Sequence, residues 1–153
     1  MPIKIKTDLK KMKNYTSEVR QNFKNELTYG SIGYELVRTV QDVIRKGISP
    51  VDGEGRFEKY SQSYRDAIKK KQYGNKKVSP VNMSLTGEMM GSLRVIEYKN
   101  GALIEFTDKK AGYHQNGEGN LPVRKLLPVK KRDTFNKRIT DLLVKALKAA
   151  LKK

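Results

Sequence analysis

Apolar residues recur at helical spacing in three stretches of this chain and at strand spacing in one. Leu9, Met12, Val19, Phe23 and Leu27 keep a near-helical period behind Thr7, which serves as N-cap with Asp8 in the positive end of the helix dipole. Tyr29-Gly30 breaks that pattern. Ser31 then caps a second helix, on which Ile32, Leu36, Val37, Val40, Val43 and Ile44 make a broad apolar face that ends at Gly47. Residues 48–60 hold Pro50, Gly53 and Gly55 with few apolar side chains. They read as an extended loop with few local contacts, mobile in the isolated subunit and ordered by assembly. A short helix is predicted from Ser61 to Lys71, with Tyr64 and Ile68 on one face. A lysine-rich connector follows at Gln72–Lys77, and Ser79-Pro80 interrupts regular structure.

Thr86 to Gly91 predicts one or two helical turns with Thr86 as N-cap and Glu88 in the first turn. Two β-forming runs, Leu93–Tyr98 and Ala102–Thr107, flank Asn100-Gly101, the dipeptide that most strongly signals a hairpin because both turn residues must reach positive φ. Residues 108–128 read as a turn-rich passage with a strand near Leu121–Leu127. The last helix is predicted from Arg132 to Leu151, with Phe135, Ile139, Leu142, Leu143, Ala146, Leu147, Ala150 and Leu151 on one stripe and a frayed basic tail at 148–153. The fold class is α+β: two N-terminal helices, a small antiparallel sheet containing the Asn-Gly hairpin, and a long C-terminal amphipathic helix. At 153 residues one domain is expected over the whole chain.

That last stripe has three readings. It packs on the sheet; it lies on an anionic membrane through Lys145, Lys148, Lys152 and Lys153; or it completes a neighbouring subunit's core. The membrane reading is the weakest, because Phe135 is the only aromatic anchor there. Lys130, Lys131 and Arg132 fall at the expected helix start, where cations oppose the dipole and favour an external anionic partner.

Charge adds to the picture. Thirty-three Lys and Arg against sixteen Asp and Glu give +17. The excess is +4 over residues 1–60 and +13 over residues 61–153, from 12 basic and 8 acidic, then 21 and 8. Such asymmetry favours nucleic acid, an anionic membrane or an acidic protein surface, or it serves solubility alone. Candidate contacts to DNA or an acidic partner are Lys69, Lys70, Lys71, Lys76, Lys77, Lys130, Lys131 and Arg132, with Lys109–Lys110 a further cluster. No zinc finger, RNP signature or helix-turn-helix accompanies them, so any DNA contact would be to phosphates. There is no apolar run near 18 residues and no signal-peptide core, and the absence of cysteine fits a reducing cytoplasm.

Catalytic chemistry is hard to assemble. Without cysteine and with one histidine, thiol catalysis and His-rich metal sites are excluded. His114 stands near no nucleophile pattern and is expected to be structural, bonding backbone. Asp52 and Glu54 are close in sequence, whereas Glu58, Asp108 and Glu118 are scattered. The G-E-G tripeptides at 53–55 and 117–119 precede no G-K-[ST] and read as turns. The expectation is a non-enzyme with no cofactor and no metal.

One ordered set of short motifs remains. It consists of Gly55-Arg56-Phe57, Tyr60-Ser61, Leu85-Thr86-Gly87 with Met89, Ser92-Leu93, the hairpin, His114-Gln115 with Gly117, and Pro122-Val123-Arg124. Over residues 48–128 this order resembles the tailed-bacteriophage virion-morphogenesis or tail-completion (neck) family. Members often carry an aromatic and a second proline after Pro-x-Arg, where this chain has Lys125-Leu126-Leu127-Pro128. The resemblance implies a structural protein of the virion, made in the bacterial cytoplasm and located at the head–tail junction. There it would form a hexameric or dodecameric ring between the head connector or adaptor and the tail-tube or terminator proteins, with phosphate contacts to packaged DNA and no membrane. It marks Arg56, Phe57, Tyr60, Leu85, Met89, His114, Pro122 and Arg124 as motif or subunit-contact residues. The alternative is a non-specific nucleic-acid-binding accessory protein.

Overall fold

The computed structural model describes residues 3–5, 28–83, 87–99 and 101–150. The architecture is α+β, built on a three-stranded antiparallel sheet in the order β1 (Ile3–Ile5), β3 (Gly101–Phe106), β2 (Leu93–Tyr98). Central β3 pairs with β2 from Leu93↔Phe106 to Tyr98↔Gly101 and with β1 from Ile3↔Ile104 to Ile5↔Ala102. That register puts Val95 beside Ile104 on one face, and Arg94 beside Glu105 on the other, where their side chains bond at 2.6 Å. Strand β1 was not anticipated, although the Ile3-Lys4-Ile5 alternation has the strand period of two. The helix predicted over Thr7–Leu27 and the hairpin residue Asn100 lie outside the described residues.

Helix α1 (Tyr29–Arg45) covers the face of the sheet that carries Val95 and Ala102. Its buried positions Ile32, Leu36, Val40, Val43 and Ile44 follow the helical period. The expected break at Tyr29-Gly30 is corrected, because both residues belong to the helix. The cap is Thr28 and not Ser31: the Ser31 amide donates to Thr28 Oγ1 at 3.1 Å, and the Ser31 hydroxyl returns a bond to Thr28 O at 2.9 Å. Gly30 and Gly33 are there for packing. A Cβ on Gly33 would stand 2.6 Å from Val95 Cγ1, and one on Gly30 would overlap the Glu97 carboxylate. After α1 the chain turns at Gly47, whose φ of +75° suits glycine.

Residues 48–60 have no helix or strand, as expected, but the predicted shortage of contacts is corrected. The Ser49 amide donates to Gly55 O at 2.8 Å and the Phe57 amide to Gly47 O at 2.9 Å; Ser49, Pro50, Val51 and Phe57 are buried. The tip, Asp52 to Arg56, is exposed, as are Glu58 and Lys59 beyond Phe57. Helix α2 (Gln62–Lys69) follows, capped by Ser61. The short α3 (Glu88–Gly91) has Gly87 at its N-cap, while the expected cap Thr86 lies outside the described residues.

The passage after the sheet departs furthest from expectation. Helix α4 (Lys109–Asn116), capped by Asp108 and closed by Gly117 at φ +71°, replaces part of the predicted irregular run. Gly112 inside it lowers helix propensity and concealed it. A 3₁₀ turn (Glu118–Asn120) follows. The strand expected near Leu121–Leu127 does not form; that stretch is extended and bonds to α4. The last helix, α5 (Lys137–Ala150), begins five residues later than predicted. Asn136 sets the start, accepting from the Ile139 amide at 3.0 Å while its own amide group donates to Ser49 O at 2.6 Å. Lys130–Arg132 therefore precede the helix, and the argument that they oppose its dipole falls. Phe135 sits before the helix, bridged to Val51. The apolar stripe packs against α1, not the sheet, with Ile139 in the core; Leu142 and Val144 are exposed. No described helix is long and apolar enough to cross a membrane.

Candidate functional site

Four segments meet around a cavity of about 530 Å³. Tyr60, Ser61 and Tyr64 come from the start of α2, and Lys76 from the turns beyond it. Met83 and Gly87 precede α3, and Met89 lies within it. Lys110, Tyr113 and His114 come from α4, and Asn120, Leu121, Pro122 and Arg124 from the extended stretch that follows. The motif residues Tyr60, Met89, His114, Pro122 and Arg124, spread over sixty-five positions of sequence, thus line one cavity.

The turn between α4 and Arg124 explains the convergence. Gly117, Gly119 and Asn120 all have positive φ, and this reverses the chain tightly enough for the Arg124 amide to donate to His114 O at 2.8 Å. Gln115 holds the continuation: its Oε1 accepts from the amides of Leu126 (2.7 Å) and Leu127 (3.2 Å), and its Nε2 donates to Leu127 O at 2.9 Å. A single side chain from a helix does the work of a neighbouring strand. This accounts for the absence of the predicted β ladder.

Arg124 is the centre of the site. It is only 3% exposed, donates from Nη2 to Glu58 O at 3.2 Å, and places its guanidinium carbon 5.8 Å from the centre of the Tyr60 ring. Lys76 Nζ lies 5.3 Å from the same ring centre. Tyr60 also meets Tyr64 edge-on at 5.0 Å, and Tyr64 meets Tyr73 at 5.0 Å. Two buried polar atoms are left over here: Arg124 Nε and His114 Nδ1 have no hydrogen-bond partner among the described residues, while backbone groups of Met83 and Asn82 stand beside the Tyr60 hydroxyl. A buried polar group without a partner costs on the order of 1–3 kcal/mol.

The electrostatics share one cause. Burial lowers the pKa of His114, with Arg124 adding to the effect, and burial likewise lowers those of Lys76 and Arg124. Burial raises Tyr60 and Tyr64, each reinforced by a neighbouring tyrosine. No carboxylate is among the residues that line the cavity. Exposed Lys110, at the rim, is met by Glu88 at 3.4 Å and Asp108 at 4.0 Å from outside the lining.

The other candidates fall elsewhere. Phe57 is core, 8% exposed. Arg56 is exposed at the loop tip and bridges to Ile48 through its backbone. Leu85 lies outside the described residues. Lys69, Lys70, Lys71 and Lys77 are exposed around the end of α2, and Lys130, Lys131 and Arg132 are exposed before α5. His114 was expected to bond backbone through its side chain; its backbone does so, and its ring instead faces the cavity with Nδ1 unpaired. Sequence reasoning missed Met83 and Asn120 as lining residues, and it missed that Lys110, Tyr113 and His114 share a helix face. Reading Asp108 as an N-cap would have revealed that i, i+3, i+4 set.

Among the described residues no group of three His, Asp or Glu could hold a metal ion. No family model matches the chain, and neither curated proteins nor solved structures include a significant match.

Proposed function

We propose that this chain is a structural component of a tailed-phage virion at the head–tail junction, acting as a ring of identical subunits that joins the connector to the tail. The observation that carries the reading is the convergence of Tyr60, Met89, His114, Pro122 and Arg124 on one cavity. Those residues are five of the eight that the resemblance marks, and a shared three-dimensional role is what a common motif requires. The cavity's chemistry supports binding over catalysis. His114 is accompanied there by tyrosines and cations, with no carboxylate among the lining residues to orient it. Exposed cations on two separate segments, 69–77 and 130–132, give such a ring surfaces suited to passing DNA or to an acidic ring partner.

The test is genetic and visual. Phage carrying a nonsense codon early in this reading frame should accumulate DNA-filled heads and separate tails, and supplying the purified protein should restore joined particles. Normal infectious particles lacking the protein would refute the proposal. The same exposed cations favour a second reading, an accessory protein that binds nucleic acid. That reading requires the isolated chain to bind duplex DNA at about 0.15 M salt, where contacts made to phosphates alone are already strongly weakened.

A further inference from the structure

The cavity has a built-in ligand preference. Arg124 is almost fully buried and lines it, and Arg124 Nε and His114 Nδ1 are buried without a hydrogen-bond partner among the described residues. Around them stand the apolar surfaces of Tyr64, Met83, Met89 and Tyr113, and no lining residue is acidic. A guanidinium with an unpaired Nε matches a carboxylate oxygen.

We propose that this cavity binds an acidic, partly apolar peptide segment of a partner protein, one carboxylate pairing with Arg124 while an adjacent apolar side chain lies against the Tyr64, Met83, Met89 and Tyr113 surfaces. Charge complementarity selects an anion, and shape selects among anions. Duplex DNA presents its phosphates on a convex rod and cannot reach a guanidinium that is 3% exposed, whereas an extended peptide inserts one side chain at a time. A base has no aromatic face to stack on at Tyr60, since Lys76 and Arg124 stand over that ring at 5.3 and 5.8 Å and Tyr64 meets it edge-on. The volume of about 530 Å³ suits a few side chains. The inference rests on the cavity and stands whether or not the chain belongs to a virion.

The experiment uses the full chain and a fluorescent hexapeptide alternating glutamate and leucine, with its glutamine counterpart, inorganic phosphate and a short DNA duplex as competitors. The acidic peptide binds, the glutamine peptide binds at least about tenfold more weakly, and phosphate or duplex at equal concentration does not displace it. His114 is the only histidine, so its ring resonances report directly on the cavity, and they shift on adding the acidic peptide. Arg124→Gln abolishes binding. Because Arg124 is buried, Tyr113→Ala, at a 39% exposed position, is the companion variant and weakens binding several-fold with the fold intact. Changing Lys137 and Arg138, exposed at the start of α5, together to Gln leaves binding unchanged. The proposal is overturned by equal affinity for the glutamine peptide, by displacement with duplex or phosphate, by an unmoved His114, by no binding at millimolar peptide, or by loss of binding in the double variant.

Discussion

Gln115 bonds three backbone groups of Leu126 and Leu127 with one amide side chain. Removing it strands those groups in a half-buried setting, so Gln115→Ala should lower unfolding stability by about 2–3 kcal/mol. It should also loosen the stretch that carries Arg124, which chemical denaturation and the His114 resonances would both register. A cost under a few tenths of a kcal/mol would mean water replaces the amide without loss. His114 gives the second residue-scale prediction. Its folded pKa lies below the ordinary 6.5 because burial and Arg124 disfavour the cation. Between the folded value and 6.5 the unfolded chain binds more protons, so stability rises with pH through that window and is lost as pH falls through it. His114→Gln should flatten this part of the stability-versus-pH curve, as read by urea midpoints from pH 7.5 downwards. Parallel curves for the two proteins would show that the histidine is not held neutral by the fold.

Helices and strands were legible in the sequence wherever one face is apolar and the period is unbroken. The face of α1 from Ile32 to Ile44, the hairpin strands and the short helix with Tyr64 and Ile68 on one face are all such cases. Boundaries failed where a glycine lies inside a helix. Gly30, which has a packing role, was read as a breaker, and Gly112, with open space around it, hid α4. The cavity was half legible: the motif order pointed to its residues and Gly117–Gly119 read as a turn, but the helix α4 that this turn folds the Arg124 stretch against was hidden. Gly33 tests the packing argument. Alanine favours a helix interior by up to about 1 kcal/mol over glycine, whereas overpacking typically costs about 1–3 kcal/mol. With Val95 Cγ1 2.6 Å from the new Cβ and Cγ2 at 3.2 Å, the clash should win. Gly33→Ala should be destabilising, and a rise in melting temperature would show that α1 can move off the sheet at little cost. The 48–60 loop is tested by hydrogen exchange in the isolated chain. The amides of Ser49, Asp52 and Phe57, bonded at 2.8–2.9 Å, should exchange slowly while Gly53 at the exposed tip exchanges fast. Uniformly fast exchange over 48–60 would restore the simpler expectation of a loop ordered only by assembly.

For the whole molecule, charge and shape lead to one division of labour. The cavity gathers cations and tyrosines with no acid among its lining, and the exposed clusters Lys69–Lys71 and Lys130–Arg132 lie far apart in sequence. One arrangement suits a protein partner, and the other suits the field of a ring around DNA, where non-specific attraction is enough. Exposed apolar side chains at Leu142 and Val144 on α5 are available to the contacts between subunits that a ring needs. The account's central claim is the place of action. The most direct measurement is electron cryomicroscopy of purified virions carrying a gold-labelled tag on this chain. The account predicts label confined to the joint between head and tail, with a closed ring of density there into which α1 and its three-stranded sheet fit. Virions without label at that joint, with the protein recovered only from the soluble lysate, would contradict it.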